Sequence, residues 1–150
     1  MEAKKRRGRA SSFRLDLDAE SVGVWSEFEG IDFLHRPWMN PDHKDRAREL
    51  AAERGLLDAD GTVPEAALDR SDAWLAIMLE SANGTVLLNW RNWEAEDETG
   101  EPSGEDFDHT PERALEVLRD ERYRLFHEWL VKVASNEKRY TERAVGNSSQ

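Results

Sequence analysis

The sequence predicts an α+β protein, mainly α, in which an N-terminal β-hairpin or small sheet packs on a bundle of four to five helices. Residues 22–36 have the composition of a β-hairpin, and residues 41–145 contain several segments with helical spacing and N-terminal capping residues. Six tryptophans in a chain that is only 38% hydrophobic predict a compact aromatic core. At 150 residues, one domain is expected.

The charge pattern divides the chain. We expect a disordered basic arm at residues 1–12, a single domain at residues 13–145 and a frayed tail at residues 146–150. The arm holds five of the 21 basic residues, Lys4, Lys5, Arg6, Arg7 and Arg9. Residues 10–150 are left with 16 positive and 31 negative charges, a body that repels nucleic acid. Nucleic-acid binding is therefore not expected, and Lys4 to Arg9 is the only candidate for it.

The sequence has neither cysteine nor a long apolar run, and both absences limit the classes of protein that fit it. The chain has no cysteine, which excludes disulfides, thiolate metal sites and cysteine nucleophiles. No apolar run is long enough to predict a membrane-spanning helix, so no membrane partner is expected.

The N-terminal elements are predicted from alternation. Phe13, Leu15 and Leu17 alternate with polar residues, which predicts a first strand. Residues 22–28 and 31–36, joined by a Glu29-Gly30 turn, predict a hairpin in which Trp25 pairs with Phe33 or Leu34.

Two helices are predicted next. Asn40 is placed as N-cap and Pro41 at the first helical position of a surface helix that runs to about residue 54. Thr62 has capping-box spacing to Glu65, which predicts that a central core helix begins there. Its apolar face is expected to contain Leu68, Leu75, Leu79 and Ala82, widened by Trp74, Ile77 and Met78.

The second half of the chain is predicted to be helical around an acidic segment. After a break or kink at Asn83-Gly84, residues 85–93 resume a helix with Trp90 and Trp93 on one face. A flexible acidic loop is expected at residues 94–109, where eight acidic residues occur between 94 and 108. Thr110-Pro111-Glu112 starts another helix, and a long terminal helix follows from Asp120 with an apolar face of Phe126, Trp129, Leu130 and Val133.

No catalytic, cofactor or metal site is predicted, and the chain is not expected to be an enzyme. Asp58-Ala59-Asp60-Gly61 resembles part of a calcium loop, but Leu56, Pro64 and Ala67 would occupy three ligand positions. The four histidines are scattered, and no serine lies in a glycine-flanked elbow. His127 is expected to be a hydrogen-bonded histidine on the terminal helix.

The tryptophans are the candidate binding residues. Trp25, Trp74, Trp90 and Trp129 are interpreted as core, and Trp38 and Trp93 as contacts with a partner. Because Trp90 and Trp93 lie in one short segment, the predicted partner-binding set includes both, with their neighbours: Trp38, Met39, Trp90, Asn92 and Trp93.

Several motifs together resemble the tail assembly chaperones of long-tailed, siphovirus-like bacteriophages. They are the aliphatic run into Trp90-Arg91-Asn92, the acidic segment from Glu96 to Gly100, Phe107, and Thr110-Pro111-Glu112. The resemblance covers most of residues 22–148. It implies a protein that binds the tape-measure protein in the host cytoplasm, keeps it soluble, promotes tail-tube assembly and is absent from the mature virion. It also implies contact with the major tail tube protein, and self-association is left open.

Two other functions fit the sequence. A small acidic α+β domain also suits a structural head-tail connector, a neck protein or another virion protein, which would persist in purified particles. An acidic protein that mimics nucleic acid and inhibits a host enzyme, using residues 94–108, is the further alternative.

Overall fold

The computed structural model describes residues 7–148. An antiparallel three-stranded sheet, in the order β1-β2-β3, is formed by β1 (Val24–Phe28), β2 (Ile31–His35) and β3 (Leu87–Arg91). A separate hairpin pairs β4 (Glu94–Glu96) with β5 (Pro102–Asp106).

Helices make up most of the remaining structure. They are α1 (Leu17–Val22), α2 (Pro41–Glu53), α3 (Ser71–Ser81), α4 (Pro111–Arg119), α5 (Arg124–Ala134) and α6 (Glu142–Ser148). Short 3-10 helices lie at Ala10–Ser12, Glu65–Ala67, Glu121–Tyr123 and Glu137–Tyr140. The predicted α+β, mainly α class is confirmed. None of the helices within residues 7–148 combines the length and hydrophobicity needed to cross a bilayer.

The β1/β2 hairpin follows the prediction. Glu29 and Gly30 both have positive φ, 51° and 81°, as a two-residue type I′ turn requires. Trp25 pairs with Leu34, one of its two predicted partners. The prediction that Trp25 is core is wrong, because Val24 and Ser26 take the inner face and strand alternation turns Trp25 outward.

The main core lies between the inner face of the sheet and helices α4 and α5. Phe33, at the centre of the sheet, is 1% exposed and contacts the rings of Trp90, Phe126 and Trp129. Leu118 of α4 and Leu130 of α5 complete the helical side of this core, and the periodicity of the terminal helix predicts the position of Leu130.

A second cluster joins α2 to α3. Asn40 accepts a hydrogen bond from the His43 backbone N–H and Pro41 is at the first helical position, so the predicted start of α2 is confirmed. The apolar stripe of α2 packs on Ile77 of α3, which is 0% exposed. Trp74 packs against the rim of this cluster, with its indole N–H donating to the Ala67 carbonyl oxygen.

The two ends of the described chain pack on each other. The predicted strand through Phe13, Leu15 and Leu17 is wrong: Leu15 makes one bridge with Thr141, while Asp16 caps helix α1. The predicted frayed tail is also wrong for residues 146–148, which belong to α6. Of the predicted disordered arm, residues 1–6 lie outside the described residues, as do residues 149–150 of the tail; Ala10–Ser12 forms a 3-10 turn.

Two predicted helical segments differ. The Thr62 hydroxyl donates to Asp58 and Asp60 within a turn instead of capping a helix, so α3 begins at Ser71. Residues 87–91 form a strand because Gly84, with φ 79°, turns the chain after α3 and β2 offers an edge with which that apolar run pairs.

The acidic segment forms a hairpin where a loop was predicted. Its tip is held by Asp97, whose side chain accepts hydrogen bonds from the backbone of Thr99 and Glu101. The Thr99 hydroxyl also donates a hydrogen bond to this carboxylate and is the largest cause of the lowered pKa of Asp97. The two backbone hydrogen bonds lower this pKa further. All of β5 is exposed, so the acidic side chains remain in water.

Candidate partner-binding groove

Trp90 and Trp93 are brought together by a turn in the backbone. Trp90 lies on β3 with 4% exposure, and its indole N–H donates to the Phe107 carbonyl oxygen at 2.7 Å. Asn92 has a left-handed φ of 62°, and its side chain donates to Asp32 at 2.7 Å. The two indole rings lie 4.8 Å apart across this turn. The predicted proximity is therefore present, but the helical geometry on which it was based is wrong.

Trp93 is half-buried among aromatic rings. Its ring lies 4.9 Å from Phe107, 6.0 Å from Phe33 and 6.1 Å from Tyr123. Ring contacts of this kind stabilise the fold, and a half-buried ring also presents one edge to solvent. Contact of Trp90, Asn92 and Trp93 with a partner stays a prediction.

Trp38 and Met39 form a second site. The Trp38 ring packs edge-on at 4.5 Å from the buried His43 ring. Met39 is 40% exposed and has a left-handed φ of 64°, and its N–H donates to Nδ1 of His43. Nε2 of His43 then donates to the Met78 carbonyl oxygen, and burial lowers the pKa of this imidazole.

These two aromatic sites do not form one surface. The backbone N–H of Trp38 donates to Ala134 at the C-terminal end of α5, whereas Trp93 contacts Tyr123 just before its N-terminal end. The intervening helix is about 15 Å long at 1.5 Å per residue. The two aromatic sites therefore lie near opposite ends of α5.

The surface that suits a partner helix lies elsewhere, between α3 and the α4/α5 corner. It is a groove of about 570 Å³. Leu79, Leu118 and His127 form its floor and are each at most 7% exposed. Leu75 and Ala76 form an exposed wall, and Leu75 is 57% exposed.

A smaller depression of about 430 Å³ continues the groove toward the N-terminal end of α3. The two share Asp72, Ala76 and Glu121, so they form one channel along the helix. Apolar residues at i, i+3, i+4 and i+7 on a helix are what such a channel accepts.

Polar contacts hold the groove open. The Glu80 carboxylate, mostly buried, forms salt bridges with Arg54 and with Arg119, the second at 2.8 Å. These bridges tie α3 to the end of α2 on one side and to α4 on the other. The predicted role of His127 is confirmed: Nε2 donates to the Val117 carbonyl oxygen at 2.8 Å, which fixes α5 against α4.

The groove is not predicted from the sequence, because the periodicity assigns the whole apolar surface of α3 to the core. The prediction is wrong for Leu68 and Leu75, which are 66% and 57% exposed. The signal was available: α3 has apolar residues over more of its circumference than packing on α2 requires. Ile77 faces α2, and Leu75 and Leu79 line the groove.

The remaining polar cluster is enclosed. His35 is 0% exposed, with Nε2 2.8 Å from Ser26 Oγ and Nδ1 2.6 Å from the Tyr140 hydroxyl. Burial lowers the pKa of His35 to about 4 and raises that of Tyr140. Because Ser26 is only 7% exposed, this arrangement links the C-terminal segment to the sheet without reaching solvent. Within residues 7–148, no group of three or more metal-ligating side chains is found.

Comparison with protein-family models, with curated proteins and with solved structures finds no match to this chain. The family that the sequence motifs resemble is therefore a proposal.

Proposed function

We propose that this chain is a non-catalytic chaperone that binds an apolar helix of another protein and keeps that protein soluble. The observation that carries the proposal is the open groove along α3. A water-exposed leucine beside a floor of buried apolar side chains offers apolar area that becomes buried only when a partner is present.

The partner we propose is the tape-measure protein of a long-tailed bacteriophage, on the strength of the motifs around Trp90 and Thr110. A long helical protein with apolar stripes aggregates unless those stripes are covered, and helix-in-groove contacts cover them. The net charge of −11 favours dispersal of the coated complex through mutual repulsion. A chaperone of this kind acts in the host cytoplasm and leaves before the virion is complete.

Coexpression tests the proposal. The tape-measure protein is expressed alone, with this chain, and with the Leu75→Asp variant, and its soluble fraction is measured. We expect solubility with the native chain and a large loss with Leu75→Asp, because a carboxylate in the groove would be buried against an apolar stripe.

Leu125→Asp is the matched control. Leu125 is 71% exposed on α5 and does not line the groove, so this variant adds the same charge elsewhere and should keep the partner soluble. Equal precipitation with and without the native chain would refute the proposed function. Recovery of the chain in purified virions would instead indicate a structural component.

A further inference from the structure

The two end segments of the described chain form one small subassembly beside the main core. We call residues 10–22 and 136–148 together the terminal clasp. Two backbone hydrogen bonds and one salt bridge join its two segments: from the Asp16 N–H to the Tyr140 carbonyl oxygen at 2.7 Å, from the Glu142 N–H to the Arg14 carbonyl oxygen at 2.9 Å, and between the side chains of Arg14 and Glu142. The N-terminal and C-terminal segments are therefore held to each other.

The clasp buries little apolar surface of its own. Its cluster of buried residues consists of Ala19, Val24 of β1 and Tyr140, whereas the main core contains eleven buried residues. The stabilisation gained from burial follows the apolar area that is removed from water. The free energy needed to open the clasp should therefore be well below that needed to unfold the core.

A buried polar contact joins the clasp to the sheet. The Tyr140 hydroxyl lies 2.6 Å from Nδ1 of His35, which is on β2 and 0% exposed. Nε2 of the same ring lies 2.8 Å from Ser26 Oγ. A neutral imidazole suits these two hydroxyls, because one ring nitrogen donates and the other accepts. When Tyr140 moves away with the clasp, Nδ1 of His35 becomes open to water.

The surroundings of His35 disfavour a charge on its ring while the clasp is closed. Trp129 of α5 packs edge-on against the ring at 6.3 Å. Burial, and to a smaller extent the positive charge of Arg139, lowers the pKa of His35 to about 4. The pKa of the Tyr140 hydroxyl is raised, mainly by burial and further by the Glu20 carboxylate of α1. The neutral ring therefore stabilises the closed state above the ordinary histidine pKa of about 6.5, and this stabilisation is lost as the pH falls toward 4.

We propose that the terminal clasp opens as one unit while the core stays folded, and that protonation of His35 opens it. In the open state water reaches the charged imidazole, and Arg139 moves away from it with the clasp. Opening also uncovers the end of the sheet that Ala19 and Tyr140 cover. The inference is independent of the proposed function, because none of the clasp residues lines the groove along α3.

Hydrogen exchange of backbone amides, followed by NMR on the full chain at pH 7 and pH 5, tests the inference. This window lies above the ordinary pKa range of carboxyl groups. We expect the amides of Asp16 and Glu142 to have equal protection factors, lower than those of the α5 amides at both pH values. Their protection should fall about twentyfold from pH 7 to pH 5, because the pKa of His35 rises from about 4 to about 6.5 on opening.

Three results would overturn the inference. Equal protection of the clasp and α5 amides would mean that the clasp has no opening of its own. Unequal protection of Asp16 and Glu142 would mean that the two segments open separately. Protection that does not change between pH 7 and pH 5 would mean that protonation does not open the clasp.

Two histidine variants identify the group that titrates. His35→Gln should remove most of the twentyfold fall, and a fall of the same size in this variant would assign the effect to another group and overturn the inference. His43→Gln is the matched control. The His43 ring is also 0% exposed with a pKa lowered by burial, but it contacts the Met78 carbonyl oxygen far from the clasp in sequence, so this variant should keep the fall.

Tyr140→Phe tests the same contact without changing the histidine. It removes only the hydroxyl that lies against His35, so the loss of one buried hydrogen bond should lower the protection of the Asp16 and Glu142 amides about fivefold at pH 7. Unchanged protection in this variant would mean that the contact does not hold the clasp, and the inference would be wrong.

Discussion

Replacing Leu75 by alanine should weaken partner binding and should cost less stability than the same replacement at a core position of the same helix. Full burial of a leucine side chain is worth about 2 kcal/mol. Leu75 is 57% exposed in the free protein, so closing a partner over the groove would bury an amount worth about 1 kcal/mol. The dissociation constant should therefore rise about fivefold to tenfold.

The stability of the same variant follows from the remaining burial. The part of Leu75 already covered in the free protein corresponds to a loss of about 1 kcal/mol in the free energy of unfolding. Ile77, two residues along α3, is 0% exposed in the α2–α3 cluster. Ile77→Ala should cost about 2–5 kcal/mol, because it leaves a cavity in packed surroundings.

Urea unfolding monitored by circular dichroism gives both stabilities, and titration with a soluble segment of the proposed partner gives both affinities. If Leu75→Ala destabilises the protein as much as Ile77→Ala, Leu75 is a core residue and the groove is not open in solution. If its affinity is unchanged while its stability falls by about 1 kcal/mol, the partner binds another surface.

Three further predictions concern the fold, each measured by urea unfolding. Met39→Gly should raise stability by about 1 kcal/mol, because glycine relieves the left-handed φ of 64°; a decrease would mean that thioether packing dominates. Thr110→Ala should cost about 1 kcal/mol, because it removes the cap of α4; no loss would show that water replaces the cap. The neutral form of His35 is favoured in the folded state, so its contribution is present above its unfolded pKa of about 6.5 and is lost as pH falls toward 4. Between pH 7 and 4.5, the native chain should lose about 2–3 kcal/mol more than His35→Gln, and parallel pH profiles would refute this.

The elements whose sequence signals lie within a few neighbouring residues were predicted correctly. Asn40-Pro41 and Thr110-Pro111 place a capping side chain directly before a residue with a helical φ, and both helices begin there. Glu29-Gly30 lies between two β-rich runs, and a type I′ turn with two positive φ values joins them in two residues. These elements depend little on the rest of the chain.

Elements that depend on distant partners were predicted less well. The apolar run from Val86 to Trp90 suits a strand or a helix, and the edge of β2, some 55 residues earlier, decides for a strand. Leu15 alternates with polar neighbours, yet within residues 7–148 its only ladder partner is Thr141, near the other end of the chain. Alternation alone does not reveal whether a partner strand exists.

The same limit explains why the groove along α3 was not predicted. Hydrophobic periodicity shows that α3 has an apolar surface wider than one neighbour needs, but it does not show which part is covered. The predicted partner-binding set includes Trp90 because tryptophans often dominate interfaces. A residue that fills the core, however, has little surface area left for a partner. An exposed leucine such as Leu75 is the more informative residue.

The way in which the groove is built bears on how it would bind. Glu80 bridges two arginines across α3, and His127 pins α4 to α5, so both sides of the channel are tied before any partner arrives. A partner helix that enters a preformed channel does not have to order its walls, and less of the interaction free energy is lost to conformational entropy. A chaperone must also release its partner later, and a small interface helps because it limits the affinity. A channel of this size with one exposed leucine wall gives modest affinity at each site. Coating of a long helical protein would therefore depend on many copies bound along it, and each copy could leave separately.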